Sequence, residues 1–189
     1  MKLMMTKVKT IFLVAAFGFL LESPSQSVYA ENLGGGSDSF GTVVYGAQVA
    51  MRDGVNLATH VYLPKGEPPF PALLIRDIYG NGSAPGRVHY ARWATRNGYA
   101  FVFQNARGRY DSEGEWYPYF AEFDDGYDTL SWIAQQPWSD GKVGMFGSSY
   151  LASVQWLAAI GNHPALKAIA PAMSPGNYYR DVAYPGGAF

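Results

Sequence analysis

The rhythm of apolar and polar positions changes near residue 70. Between Thr42 and Leu63 the chain is strand-like. Val43-Val44-Tyr45 and Gln48-Val49-Ala50-Met51 flank Gly46, and Arg52-Asp53-Gly54 carries a hairpin turn signal. Leu57, Thr59, Val61 and Leu63 then alternate with Ala58, His60 and Tyr62. This period-two spacing predicts an antiparallel, half-buried strand. Pro64 ends it, and Gly66-Glu67-Pro68-Pro69 reads as a loop. Further on, the apolar positions become continuous over 72–75, 99–103 and 143–146, and 166–170 resembles them. Short unbroken runs suit strands buried on both faces of a parallel sheet. Helices are predicted between them over 88–97, 124–136 and 150–160, with Gly98, Gly141 and Gly161 near helix ends, where a left-handed cap favours glycine. Alternating strands and helices behind an antiparallel entry hairpin predict an α/β fold on a mostly parallel sheet.

The first 30 residues are organised differently. Lys2, Lys7 and Lys9 accompany an apolar run over 11–21 that only Gly18 interrupts, and Val28-Tyr29-Ala30 offers a small-residue cleavage site after Ala30. The run is too short to span a bilayer. The pattern is that of a secretory signal peptide, with a buried N-terminal helix as the alternative. It predicts an exported, periplasmic or secreted protein with no membrane association after cleavage. Residues 31–40, rich in glycine and serine and without periodicity, predict a flexible linker. Residues 41–189 remain for the folded domain.

With Lys2, Lys7, Lys9 and Glu22 confined to the leader, the 14 basic and 15 acidic residues leave 11 against 14 in the remainder, a net charge of −3. A weakly acidic chain without a basic stripe lacks the footprint of a nucleic-acid binder. The absence of cysteine excludes disulfides and thiolate zinc sites. No H-x-x-x-H or H-E-x-x-H spacing points to a metal, Gly141-Lys142-Val143 lacks the rest of a P-loop, and no G-x-G-x-x-G opens a helix.

The candidate chemistry lies at Gly147-Ser148-Ser149-Tyr150, directly after the apolar run Val143-Gly144-Met145-Phe146. A strand that turns sharply into a helix with serine at the tip resembles the nucleophile elbow of α/β-hydrolases. The turn needs a small residue two positions before the nucleophile. Gly147 satisfies that for Ser149, whereas Phe146 would crowd Ser148, so Ser149 is the candidate nucleophile. The G-x-S-x-G pattern is incomplete, since Leu151 stands where its second glycine would be and the small Ala152 follows. The alternative is a plain turn with a serine N-cap. The Tyr150 N–H, at a helix start, is one candidate oxyanion donor. A second is expected from the loop Arg76-Asp77-Ile78-Tyr79-Gly80-Asn81-Gly82, where Tyr79 offers a hydroxyl; spacing alone favours a packing aromatic at a strand end.

Longer stretches carry a wider resemblance. They are Met51-Arg52-Asp53-Gly54-Val55-Asn56-Leu57, Arg76-Asp77-Ile78-Tyr79, residues 104–116 (Gln-Asn-Ala-Arg-Gly-Arg-Tyr-Asp-Ser-Glu-Gly-Glu-Trp), residues 125–133, residues 138–151 and Lys167-Ala168-Ile169-Ala170-Pro171. In this order they resemble the cocaine esterase, α-amino-acid ester hydrolase and X-Pro dipeptidyl-peptidase group of serine hydrolases, over most of residues 47–175. The resemblance implies the N-terminal part of an α/β-hydrolase domain, incomplete in itself. It implies Ser149 as nucleophile, with the Tyr79 hydroxyl and the Tyr150 N–H as oxyanion donors, and no cofactor or metal. The substrates it implies are small esters, amides or short peptides. Relatives would add a helical cap, a downstream Asp and His, and a C-terminal β-sandwich. The chain is therefore expected to be a fragment or a truncated reading frame, inactive alone. Open alternatives are an X-Pro dipeptidyl-peptidase specificity and a non-catalytic exported remnant that binds a ligand or partner.

The remaining charged residues have plainer expected roles. Arg107 is expected to tie its loop to carboxylates, and Asp124, Asp125 and Asp128 to complement a helix dipole. Asp181 is expected to be a solvated loop residue. His60, His89 and His163 are expected to be packing or surface residues, none of them placed to serve as the base.

Overall fold

The computed structural model describes residues 40–80 and 85–187. The leader and the linker up to residue 39 lie outside the described residues, as do Asn81 and Gly82. Six strands form one sheet: β1 Val43–Ala50, β2 Asn56–Tyr62, β3 Phe70–Asp77, β4 Ala100–Asn105, β5 Ser139–Ser148 and β6 Leu166–Ala172. Their spatial order is β1-β2-β4-β3-β5-β6. β1 pairs with β2, and β2 with β4, in antiparallel register, while β4, β3, β5 and β6 run parallel. Helix α1 (Pro85–Arg96) joins β3 to β4, α2 (Glu122–Ala134) leads into β5, and α3 (Tyr150–Ile160) joins β5 to β6.

This order places the site. From β3 the chain moves to β4 on one side, then returns past β3 to β5 on the other. The direction of winding reverses at β3, and the loops that leave the carboxyl ends of β3 and β5 diverge there. In open α/β sheets ligands bind in the crevice at such a switch point. Tyr79 leaves β3 and Ser149 leaves β5 at the same end of the sheet.

The core explains the continuous apolar runs. Every residue of β4 is buried, because a central strand is covered on both faces. Alternate β4 residues serve the two faces. Val102 packs with Leu74, Leu130, Ile133 and Met145. Phe101 and Phe103 pack with Ile75, Ala91 and Ala94, and with Leu151 and Val154 of α3. Burying an aromatic or leucine side chain of this kind is worth about 1.5–3 kcal/mol.

Several elements differ from the sequence pattern. β2 is not half-buried: Leu57, Ala58, Thr59, His60, Val61 and Tyr62 are all buried. Its neighbours β1 and β4 flank it, Tyr45 closes over one face, and Leu57 packs on the other with Met51 and Trp132. Conversely, β6 has only half-buried and exposed positions, because among the described strands it pairs with β5 alone. Helix α2 begins at Glu122 and α1 at Pro85, both earlier than expected, whereas α3 falls on its expected bounds. Gly98 and Gly141 have positive φ, but Gly161 is right-handed at φ −64° and Asn162 takes the left-handed position at φ 49°.

His60 is buried in β2 with both ring nitrogens lacking hydrogen-bond partners. Tyr45 and Phe103 pack against its ring. Burial lowers its pKa below the ordinary value, and the Asp111 charge opposes this only in part. A histidine whose folded pKa lies below its unfolded value contributes stability that is fully present above the unfolded pKa, about 6.5. That stability is lost as pH falls from there toward the folded pKa. Burial shifts His163 in the same direction. His60→Leu should therefore lose less Tm than the parent between pH 7.5 and 5, while keeping the part that His163 contributes. Parallel Tm–pH curves from thermal unfolding would contradict this.

Candidate active site

The turn between β5 and α3 is built by three residues. Ser149 has φ 61° and ψ −123°, a left-handed backbone uncommon for a residue with a side chain. Gly147 sits at φ 147°, and a Cβ there would lie 2.6 Å from Leu151 Cβ. Leu151, where the bare motif expects glycine, is buried against this turn. Any residue at 151 that carries a Cβ thus makes the glycine at 147 necessary. The Ser149 N–H donates to the Ala172 carbonyl at 3.0 Å, and the Ser149 carbonyl accepts from the N–H groups of Ala152 and Ser153 at 3.0 and 3.2 Å. The strained residue is held from both sides.

Ser149 occupies the N-cap position of α3 but makes no side-chain capping bond. This separates it from a simple serine cap. Its exposed Oγ lies 3.3 Å from the Tyr79 hydroxyl. Tyr79 is 55% exposed, so it is not a packing aromatic. Its N–H donates to Asp77 Oδ1 at 2.6 Å. The buried Asp77 carboxylate also pairs with Arg87, which fixes the turn that aims the phenol. A cleft of about 280 Å³ opens over these groups, lined by Ile75, Tyr79, Arg87, Phe146, Gly147 and Ser149 among others. Ser149, Tyr79 and Tyr150 thus lie at one end of the sheet.

The Tyr150 side chain points inward. Its hydroxyl donates to Glu122 Oε1 at 2.9 Å and accepts from the Tyr119 N–H at 3.1 Å. Burial, then the Glu122 charge, push the phenol up to about 12. Behind Glu122 lies Arg76, whose side chain is fully buried. Arg76 Nη1 donates to Glu122 Oε2 at 2.5 Å, and its Nε donates to Gln104 Oε1 at 2.9 Å. Neither Glu122 nor Arg76 stood out in the sequence as a site residue. Glu122 reads there as one more acid before a helix, and its phenol partner is 28 positions away.

The neighbouring loop is fastened by Arg107, as expected. Its guanidinium reaches Asp53 at 2.7 Å and Asp125 at 2.7 Å. Asp125 is therefore more than a dipole charge: it is buried between Arg107 and Arg76, the latter 3.7 Å away. Asp128 and Asp124 hold Arg52 across the surface at 2.8 and 2.5 Å. Burial raises Asp128, but its bonds to Arg52 outweigh this and leave its pKa below the ordinary carboxylate value. Asp181 is exposed and accepts from the Asn177 N–H at 2.8 Å.

Among the described residues, no histidine is hydrogen-bonded to Ser149. His60 is buried in β2, and His89 lies on α1 beside Tyr90. His163 bonds Ser131 Oγ at 2.9 Å, and the Ala165 N–H donates to its Nδ1 at 3.1 Å. Helix α3 runs from Ser149 toward His163 over 11 residues, a rise of roughly 16 Å.

A serine on a left-handed turn between a parallel strand and a helix, at the switch point of this sheet, defines the α/β-hydrolase fold. The chain belongs to the X-Pro dipeptidyl-peptidase (S15) family, whose sequence profile matches residues 53–189. It is 44% identical over 157 residues to the cocaine esterase of Rhodococcus sp. (strain MB1 Bresler), covering 78% of this chain and 26% of that protein. A CocE/NonD family hydrolase from Staphylococcus aureus superposes with a TM-score of 0.66 at 29% identity, over 76% of this chain and 29% of that one. An α-amino acid ester hydrolase does so with a TM-score of 0.60 at 30% identity, over 82% of this chain and 30% of that one. The chain thus spans about a quarter of the length of the curated relatives it matches, 26% in each case.

The turn geometry makes a direct prediction. Gly147→Ala should destabilise the fold by about 1–3 kcal/mol, the usual cost of a disallowed backbone. Denaturant unfolding measures it, and an unchanged midpoint would contradict the assigned geometry.

Proposed function

We propose that Ser149 is the nucleophile of a serine hydrolase that cleaves esters or amides through an acyl-enzyme. The observation that carries this is the exposed Ser149 Oγ, on a left-handed turn, 3.3 Å from the Tyr79 hydroxyl and free of any capping bond. Ser149 Oγ would attack the carbonyl carbon while a base takes its proton. The Tyr79 O–H and the Tyr150 N–H would stabilise the oxyanion. Collapse of the tetrahedral intermediate expels the alcohol or amine, which takes up a proton from that base. Water then adds to the acyl group by the same route and frees Ser149. Among the described residues none of the histidines bonds Ser149. The base, and an Asp to orient it, follow the serine in the resemblance.

Ester cleavage is the preferred reading, because the 44% identical relative is named an esterase. The family description favours an X-Pro dipeptidyl-peptidase as the second reading. Turnover of an α-amino-acid ester and an X-Pro amide by the longest polypeptide the gene encodes separates the two. Ser149→Ala should abolish turnover, and Tyr79→Phe should lower kcat about 10²–10³-fold, the usual loss for one oxyanion donor. Full activity of Ser149→Ala, or turnover of the X-Pro amide alone, would contradict the preferred reading. The 189 residues by themselves are expected to be silent, as a non-catalytic remnant would be. Ester hydrolysis by them that disappears in Ser149→Ala would overturn that.

We also infer export, from Lys2, Lys7, Lys9, the apolar run and Val28-Tyr29-Ala30. The exported protein should begin at Glu31 by N-terminal sequencing; an intact Met1 on exported material would contradict cleavage.

A further inference from the structure

Tyr150 is linked to two strained backbones, one through the chain and one through its phenol. Ser149, its neighbour in sequence, has φ 61°, and Tyr119, whose N–H donates to the phenol, has φ 72°. Their rings also meet, with Tyr119 stacked on Tyr150 at 4.8 Å and 22°. One positive-φ residue thus precedes Tyr150 in the chain and another donates to its buried hydroxyl. Left-handed conformations of this kind cost about 1–3 kcal/mol each and persist where the surroundings over-determine them.

What holds the hydroxyl is a carboxylate that is itself held. Glu122 is 3% exposed, and its two oxygens are divided, Oε1 to Tyr150 and Oε2 to Arg76. Arg76 is anchored further by Gln104 and by the Glu122 carbonyl at 3.2 Å. Gln104 in turn accepts from Thr129 Oγ1 at 2.8 Å and donates to Thr59 Oγ1 at 3.1 Å. The chain of bonds therefore runs from the middle of the sheet to the residue that follows the candidate nucleophile. A buried ion pair contributes little net stability, because desolvation offsets its attraction. The helix-dipole role open to an acid at this position is already filled by Asp124 and Asp125 in the same turn. Neither consideration accounts for a carboxylate directed at Tyr150.

We propose that Glu122, backed by Arg76, is a positioning residue for the oxyanion hole. By fixing the Tyr150 phenol it sets the direction of the Tyr150 N–H and keeps Ser149 in its left-handed turn. Glu122 touches neither substrate nor reacting atoms; it acts through Tyr150. The inference rests on Ser149 and the Tyr150 N–H having the roles proposed above, but its test does not require turnover.

Local hydrogen exchange reads the effect. The amides of Ser149, Ala152 and Ser153 close the turn, through bonds to Ala172 and to Ser149 itself. Tyr150→Phe removes one oxygen and leaves the backbone N–H in place. These amides should then exchange at least about tenfold faster, while the amides of β4 stay within about twofold of the parent, as expected for local rather than global opening. Glu122→Gln keeps an acceptor for the phenol and should hold the turn within about threefold of the parent. Three results would overturn the proposal: an unchanged turn in Tyr150→Phe, equal acceleration in β4, or a Glu122→Gln variant as open as Tyr150→Phe. Loss of turnover in Ser149→Ala is read separately, so a failed nucleophile assignment and a failed tether are told apart.

Discussion

The backbone of Ser149 is the constraint around which the site is arranged. A side-chain-bearing residue at φ 61° must be held there. The end of β6 accepts its N–H bond, and the first turn of α3 bonds its carbonyl. Gly147 leaves room for Leu151 to close against the turn. The result is a serine lifted out of the helix it starts, with its Oγ directed at the Tyr79 phenol rather than at the helix N–H groups. Relaxing the turn would return Ser149 to the ordinary serine N-cap, and the meeting of hydroxyls would be lost.

The second half of the site depends on charge. Asp77 is buried at the end of β3 and takes both the Tyr79 N–H and the Arg87 guanidinium. Glu122 is buried at the start of α2 and takes both the Tyr150 hydroxyl and the Arg76 guanidinium. The two carboxylates use the same device: each is paired with an arginine and each orients a tyrosine beside Ser149. Such pairs cost desolvation and are poor sources of stability. In the proposed reaction their value would lie in geometry, since polar groups in fixed directions favour charge that develops without having to reorganise.

The main lines of this arrangement were legible in the sequence for physical reasons. Continuous apolar runs marked β3, β4 and β5, of which β4 is covered on both faces along its whole length, and the Gly147–Tyr150 turn was marked by the smallness its backbone needs. β2 misled because alternation normally signals one wet face, whereas Tyr45 covers the face expected to be open. β6 is less buried than its apolar run suggests, because among the described strands it pairs with β5 alone. Glu122 and Arg76 escaped notice because a buried ion pair leaves no periodic trace and its members are 46 positions apart. Spacing alone favoured a packing role for Tyr79; its exposure and its place beside Ser149 separate it from a packing residue.

The most direct measurement is a crystal structure of the longest polypeptide the gene encodes after reaction with a fluorophosphonate. The account predicts phosphorus bonded to Ser149 Oγ, with the phosphoryl oxygen within about 2.7–3.1 Å of both the Tyr79 hydroxyl and the Tyr150 nitrogen. A modified residue other than Ser149, or a phosphoryl oxygen turned away from both donors, would contradict it.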